Sequence, residues 1–156
     1  MSTKTITITI KQASQAINFL ATNFMETNEL DVESLEIASR AISKDIELRD
    51  YFLGMPSDFG LDFMVRLAEK MLPNIEATER PAIYTCYSAF LYERGETDRA
   101  FLALSEAQDL EPNYSLAGLL TRVYQAGKSA DTFGKLRSEL HPKVILGIKN
   151  RASNLI

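Results

Sequence analysis

One histidine and one cysteine are all that 156 residues offer for imidazole or thiol chemistry. A single cysteine excludes an internal disulfide and fits a reducing compartment. A single histidine, His141, excludes a multi-histidine metal site, and no Glu-x-x-His pair of the kind used by di-iron bundles occurs. No apolar run approaches the roughly 20 residues of a membrane span. The N-terminus carries Lys4 but no apolar stretch ending in a cleavage site, so no secretion signal is read there. Basic residues are outnumbered 17 to 21 by acidic ones, giving a net charge of −4 and a pI near 5.1. A mildly acidic chain is poorly suited to general nucleic-acid binding, which relies on many Lys and Arg contacts with phosphate.

Nor is there a phosphate-binding loop. Gly127-Lys128-Ser129 has its ending, but the required earlier glycine is replaced by Arg122 and the preceding segment reads as a helix. Cys86 lies in an apolar helical stretch, where a thiol behaves as a small hydrophobe. Asp58 with Asp62, and Glu47 with Asp50, read as solvated helix faces. No catalytic constellation and no cofactor site is expected.

What is present is helical periodicity. Lys11 to Met25 places Ala13, Ile17, Leu20, Ala21 and Phe24 on one face. Asp31 caps a helix carrying Val32, Leu35, Ala38 and Ile42, and Lys44 to Leu53 forms another, stopped by Gly54 and Pro56. Ser57 begins a helix with Phe59, Phe63, Leu67 and Met71. The most regular stretch runs from Pro81 to Tyr114, as a helix, a turn at Gly95, a second helix and a stop at Pro112. Ser129 starts a helix with Phe133, Leu136 and Leu140 inward, which His141-Pro142 is expected to end. Thr5 to Ile10 alternates, so Ile6, Ile8 and Ile10 share one face of a strand or extended arm. That arm is either pinned onto the helices or paired with another chain. Val144 to Ile148 offers a second short strand with which it could pair.

The Pro81–Tyr114 hairpin resembles a tetratricopeptide repeat through Tyr84, Ser88, Leu91, Gly95, Ala100, Leu104, Ala107 and Pro112, with Tyr87 standing where that family prefers Leu. The resemblance implies a ligand face on the first helix formed by Thr85, Ala89, Tyr92 and Glu93. The Lys and Asn that bind acidic C-terminal peptides in such repeats are missing from it. A longer resemblance runs from about 30 to 127. Leu48-Arg49-Asp50-Tyr51-Phe52-Leu53, Arg94-Gly95-Glu96-Thr97-Asp98-Arg99-Ala100 and Glu111-Pro112-Asn113-Tyr114-Ser115-Leu116-Ala117 are similar to the C-terminal helical part of a domain-of-unknown-function family of actinobacteria and their phages. It implies a helical fold and a phage or actinobacterial origin, and brings no activity.

The expected architecture is all-α. A compact bundle of about seven helices over residues 11–142 contains one tetratricopeptide-like hairpin, preceded by an arm at 1–10 and followed by a tail at 143–156 that docks or binds a partner. The leading functional expectation is a non-enzymatic, cytoplasmic protein-interaction module, phage-encoded and acting on a host protein. Two alternatives stay open: a nucleic-acid-associated regulator using Lys143, Lys149 and Arg151, and a homodimer assembled through the N-terminal strand. A third, an enzyme built from scattered carboxylates, has no motif to support it.

Overall fold

The computed structural model describes residues 7–156. Among them eight α-helices of nine residues or more, and one of four, pack into a bundle with no sheet. The helices are α1 (Ile10–Thr27), α2 (Val32–Lys44), α3 (Ile46–Gly54), α4 (Pro56–Phe59), α5 (Leu61–Met71), α6 (Arg80–Glu93), α7 (Thr97–Leu110), α8 (Ser115–Gln125) and α9 (Ala130–Asn150). None is long and apolar enough to cross a membrane.

Local chemistry sets most of the boundaries. Thr9 and Gln12 form a reciprocal capping box at the start of α1. The Asp31 carboxylate accepts from the Ser34 amide at 3.0 Å, and Asp45 from the Leu48 amide at 3.1 Å, so α2 and α3 each begin on an acidic cap. Between α6 and α7 the chain turns at Gly95, whose φ of +85° is costly for residues with a Cβ. The 3₁₀ turn Ala77–Glu79 leads into α6. One start differs from expectation: Gly60, not Ser57, precedes α5.

The core is organised around α6. Ten of its 14 residues are buried, including Ile83, Cys86, Ala89, Phe90 and Leu91. It packs on α2, α3, α5, α7, α8 and α9. A helix surrounded in this way is apolar nearly all round, and its polar residues must find partners inside. The Ser88 hydroxyl donates to the Ala100 carbonyl at 2.6 Å and lies 3.0 Å from the Tyr124 hydroxyl, joining α6 to α7 and α8. The Thr85 hydroxyl bonds back to the Pro81 carbonyl at 2.7 Å. Phe52 and Phe90 meet at 5.8 Å between ring centres, tying α3 to α6.

The chain ends are joined, although not as the sequence suggests. Val144 to Ile148 is not a strand but part of α9, which runs through Pro142 for 21 residues. The boundary expected between 142 and 143 therefore falls inside a helix. The last residues take the role of the second strand. The Ile10 amide donates to the Asn154 carbonyl at 2.8 Å, Lys11 to Ala152 at 3.1 Å, and Ile156 to Ile8 at 3.1 Å, with an antiparallel bridge between Thr9 and Leu155. Ile10 is the fully buried first residue of α1 and Ile8 is half-buried; Ile6 lies outside the described residues.

Pro142 sits on the exposed side of α9. It cannot donate to the Ser138 carbonyl, and its ring crowds that carbonyl, a cost of about 3 kcal/mol or more in a helix interior. Its rigidity in the unfolded chain returns at most about 1 kcal/mol. Pro142→Ala is therefore expected to stabilise the protein by roughly 2 kcal/mol, read as a higher midpoint in thermal denaturation; an unchanged or lower midpoint contradicts this account.

Candidate functional site

The densest collection of buried polar groups lies where α9 meets α3, α4 and the end of α6. Leu136 and Leu140, expected inward, are exposed. The inward side of α9 instead carries Phe133, Arg137, His141, Val144 and Ile148 at steps of four, four, three and four, the spacing of one helix face. Arg137 grips Glu93 with two hydrogen bonds, Nε to Oε2 at 2.8 Å and Nη2 to Oε1 at 2.7 Å. Its Nη1 donates to Ser57 Oγ at 2.8 Å. The two charged side chains are only 11% and 9% exposed. At the far end of the helix Arg151 bonds Asp45, at 2.6 Å from Nη2 to Oδ2, and also Glu47.

Glycines make this approach possible. A Cβ at Gly54 of α3 would overlap the His141 ring, one at Gly147 of α9 would overlap the Glu47 carboxylate, and Gly134 leaves the space filled by Glu93. His141, 6% exposed, stacks on Tyr51 at 6.0 Å. Among the described residues neither of its ring nitrogens has a hydrogen-bond partner, and Asp58 Oδ2 lies 3.6 Å from Nε2. The Tyr51 hydroxyl in turn accepts from Asn18 of α1.

Charge is redistributed along this surface. Burial alone would push the Asp45 carboxyl up, but hydrogen bonds from Arg151 and the Leu48 amide, with the charge of Arg151, outweigh it and hold it below its ordinary value. Hydrogen bonds to Asp45 and Glu47 raise Arg151. On the opposite side of α3, burial would lower the Arg49 guanidinium, yet its contacts with Tyr114 and Asp50 raise it overall. The Arg49–Tyr114 contact, 3.5 Å from Nη1 to the hydroxyl, brings together two of the sequence stretches that carry the longer resemblance. The Cys86 thiol is pushed up to about 12 by complete burial, which keeps it protonated and unreactive near neutral pH.

Thr85, Ala89 and Tyr92 are buried, so the ligand face expected of the first hairpin helix is not open in this chain. Tyr92 stacks on Tyr124 at 4.0 Å, meets Phe133 of α9 edge-on at 5.9 Å, and donates to the Lys128 carbonyl. Glu93 is the partner of Arg137. Its position was visible in the sequence, but not its engagement, because the partner lies 44 residues away. Lys143 and Lys149 are exposed, six residues and about 120° apart on one helix. Arg151 is committed to its two carboxylates. The three do not form one basic patch. Asp58 and Asp62 are 64% and 93% exposed, as expected of a solvated face. Glu47 and Asp50 instead pair with Arg151 and Arg49. Elsewhere an open surface hollow of about 280 Å³ lies among Phe24, Asn28, Arg66, Glu69 and Lys70, where Arg66 caps the Phe24 ring and donates to Asn28.

Asp45, Glu47, Asp58 and Glu93 give the surface under α9 an acidic outline, and a helix presenting cations in register occupies it. Among the described residues His141 makes no hydrogen bond to any hydroxyl or carboxylate.

A family model described as a domain of unknown function (DUF4192) matches residues 7–130. The match reaches further toward the N-terminus than the resemblance read from the sequence and stops where α9 begins. No curated protein and no solved structure matches the chain.

Removing one partner of a buried ion pair leaves the other charge uncompensated, at a cost of about 3–5 kcal/mol. Arg137→Ala is expected to lose about 3 kcal/mol in urea denaturation, whereas Glu93→Leu with Arg137→Met loses much less; equal losses would show that the charges themselves stabilise the seam. The depressed Asp45 carboxyl adds stability that is complete above its unfolded value, about 3.9, and is lost as pH falls through its folded value. Thermal melts from about pH 5 down to pH 2 are expected to fall less steeply for Arg151→Ala than for the wild type, and parallel curves would exclude this contribution.

Proposed function

We propose that this chain, which belongs to the DUF4192 family of domains of unknown function, is a non-enzymatic protein-interaction module. The observation that carries the reading is the way the family-wide part of the chain receives α9. Residues 7–130 form a helical body whose α3–α4–α6 surface engages a helix through a two-pronged Arg137–Glu93 pair, the Arg151 pairs and close glycine contacts. That is the chemistry of helix recognition: apolar contact for affinity, charge pairs for register. The hairpin of α6 and α7 supports the same reading through its resemblance to tetratricopeptide repeats. The resemblance to a family of actinobacteria and their phages adds the expectation that the partner is a host protein.

The test is biochemical. Tagged full-length chain, purified from cells at near-physiological salt, is expected to retain a protein partner at fixed stoichiometry through size-exclusion chromatography. Retention of nucleic acid instead, lost steeply with added salt, would favour a nucleic-acid-associated role and count against this one.

A further inference from the structure

We propose that the surface beneath α9 is a docking groove for a basic amphipathic helix of a partner protein, and that α9 is the intrachain occupant this partner displaces. The proposal rests on the interaction reading above and specifies its site and ligand.

The part of the chain shared with the family ends at residue 130, and α9 spans Ala130–Asn150. The groove residues therefore lie within the matched region, and its occupant lies beyond it from Asp131 on. The groove is acidic: Asp45 and Glu47 lie at the start of α3, Asp58 on α4 and Glu93 at the end of α6. The side of α9 facing it offers Arg137, and Arg151 follows at its C-terminal end. Complementary charge in this form selects a partner by sign and fixes its register.

The fit of α9 is incomplete in ways a different helix would repair. Only His141 and Ile148 of its 21 residues are fully buried, while ten of the 14 in α6 are. His141 is enclosed with both ring nitrogens unpartnered, which costs free energy that an apolar side chain would not. Pro142 breaks the helical ladder in the middle of the contact. Three leucines, Leu136, Leu140 and Leu146, face solvent. A segment fastened at its two ends by ion pairs, with Phe133, Val144 and Ile148 as its apolar contacts, is more loosely sealed than α6 and opens ahead of it. The favoured displacing helix keeps arginines at the places of Arg137 and Arg151, apolar residues at those of Phe133, Val144 and Ile148, an apolar residue where α9 has His141, and no proline.

A ligand that needs an open groove binds more weakly by the fraction of molecules that are open. Loosening α9 should therefore tighten binding in trans. The probe is a fluorescent peptide with the sequence of residues 128–151 carrying Pro142→Ala, titrated into the full-length chain and followed by anisotropy. The wild type is expected to bind it weakly and Arg151→Ala roughly tenfold or more tightly, with binding reduced by Glu47→Lys. Circular dichroism melts establish that each variant is folded. A folded Arg151→Ala that binds no better than wild type, or binding unaffected by Glu47→Lys, overturns the proposal.

Should Arg151→Ala not fold, hydrogen exchange on the wild type decides. Amides of α9 exchanging at least about tenfold faster than those of α6 support a displaceable helix, and equal rates overturn it. A concentration-dependent wild-type dimer abolished by Arg151→Ala would assign the groove to a second copy and overturn the partner. A captured protein that binds wild type and Arg151→Ala equally overturns the groove while leaving the interaction reading standing.

Discussion

The burial of α6 on nearly all sides is the constraint from which the rest of the structure follows. A helix with Ile83, Cys86, Ala89, Phe90 and Leu91 sealed from water needs neighbours in every direction, and α2, α3, α5, α7, α8 and α9 supply them. The closest is α7, brought in by the turn at Gly95, with the small residues Ala89 of α6 and Ala100, Ala103 and Ala107 of α7 all buried in the same core. Buried polar side chains on α6 either bond back to its own backbone, as Thr85 does to Pro81, or join it to a neighbour. Ser88 reaches the α7 backbone and Tyr124, and Tyr92 reaches the Lys128 carbonyl.

The outermost layer follows a different physical rule. Where α6 and α7 adhere through small apolar surfaces, α9 is attached by ion pairs at its two ends, Arg137 with Glu93 and Arg151 with Asp45 and Glu47. Between them lie a stacked but unpartnered imidazole and an internal proline. Ion pairs hold orientation more than they add stability, because each charge must first be taken out of water. The contrast divides the molecule into a tightly sealed body and an electrostatically fastened helix. The antiparallel contact of residues 8–11 with 152–156 completes the fastening and brings the ends of α1 and α9 together.

Much of the body was legible because its helices are amphipathic over several turns. Ala13, Ile17, Leu20, Ala21 and Phe24 share one face by their spacing and are all buried, and Asp31, placed just before an apolar-periodic stretch, caps α2. The all-α class and the membership of a domain family without assigned function were likewise within reach. Legibility fell away at the periphery. Leu136 and Leu140 have helical spacing but face solvent, because the competing face of α9 is recruited by partners far away in sequence. The step pattern of Phe133, Arg137, His141, Val144 and Ile148 was the available signal, and it is masked by an arginine, a histidine and a neighbouring proline. Thr85, Ala89 and Tyr92 look like an accessible face only while the neighbours of α6 are unknown.

What the sequence determined by itself is what depends on near neighbours along the chain: the periodicity of the helices, the caps at Asp31 and Ser129, and the turn at Gly95. These are set by hydrogen bonds and sterics spanning a few residues, so their causes and effects lie within one short window. Tertiary structure alone decided that α9 continues through Pro142, that Arg151 meets Asp45 rather than solvent, and that Asn154 to Ile156, not Val144 to Ile148, pairs with the N-terminal arm. Each of these depends on a partner more than 80 residues away or on a local penalty offset by distant contacts. No local pattern encodes which of several compatible partners will be brought into reach.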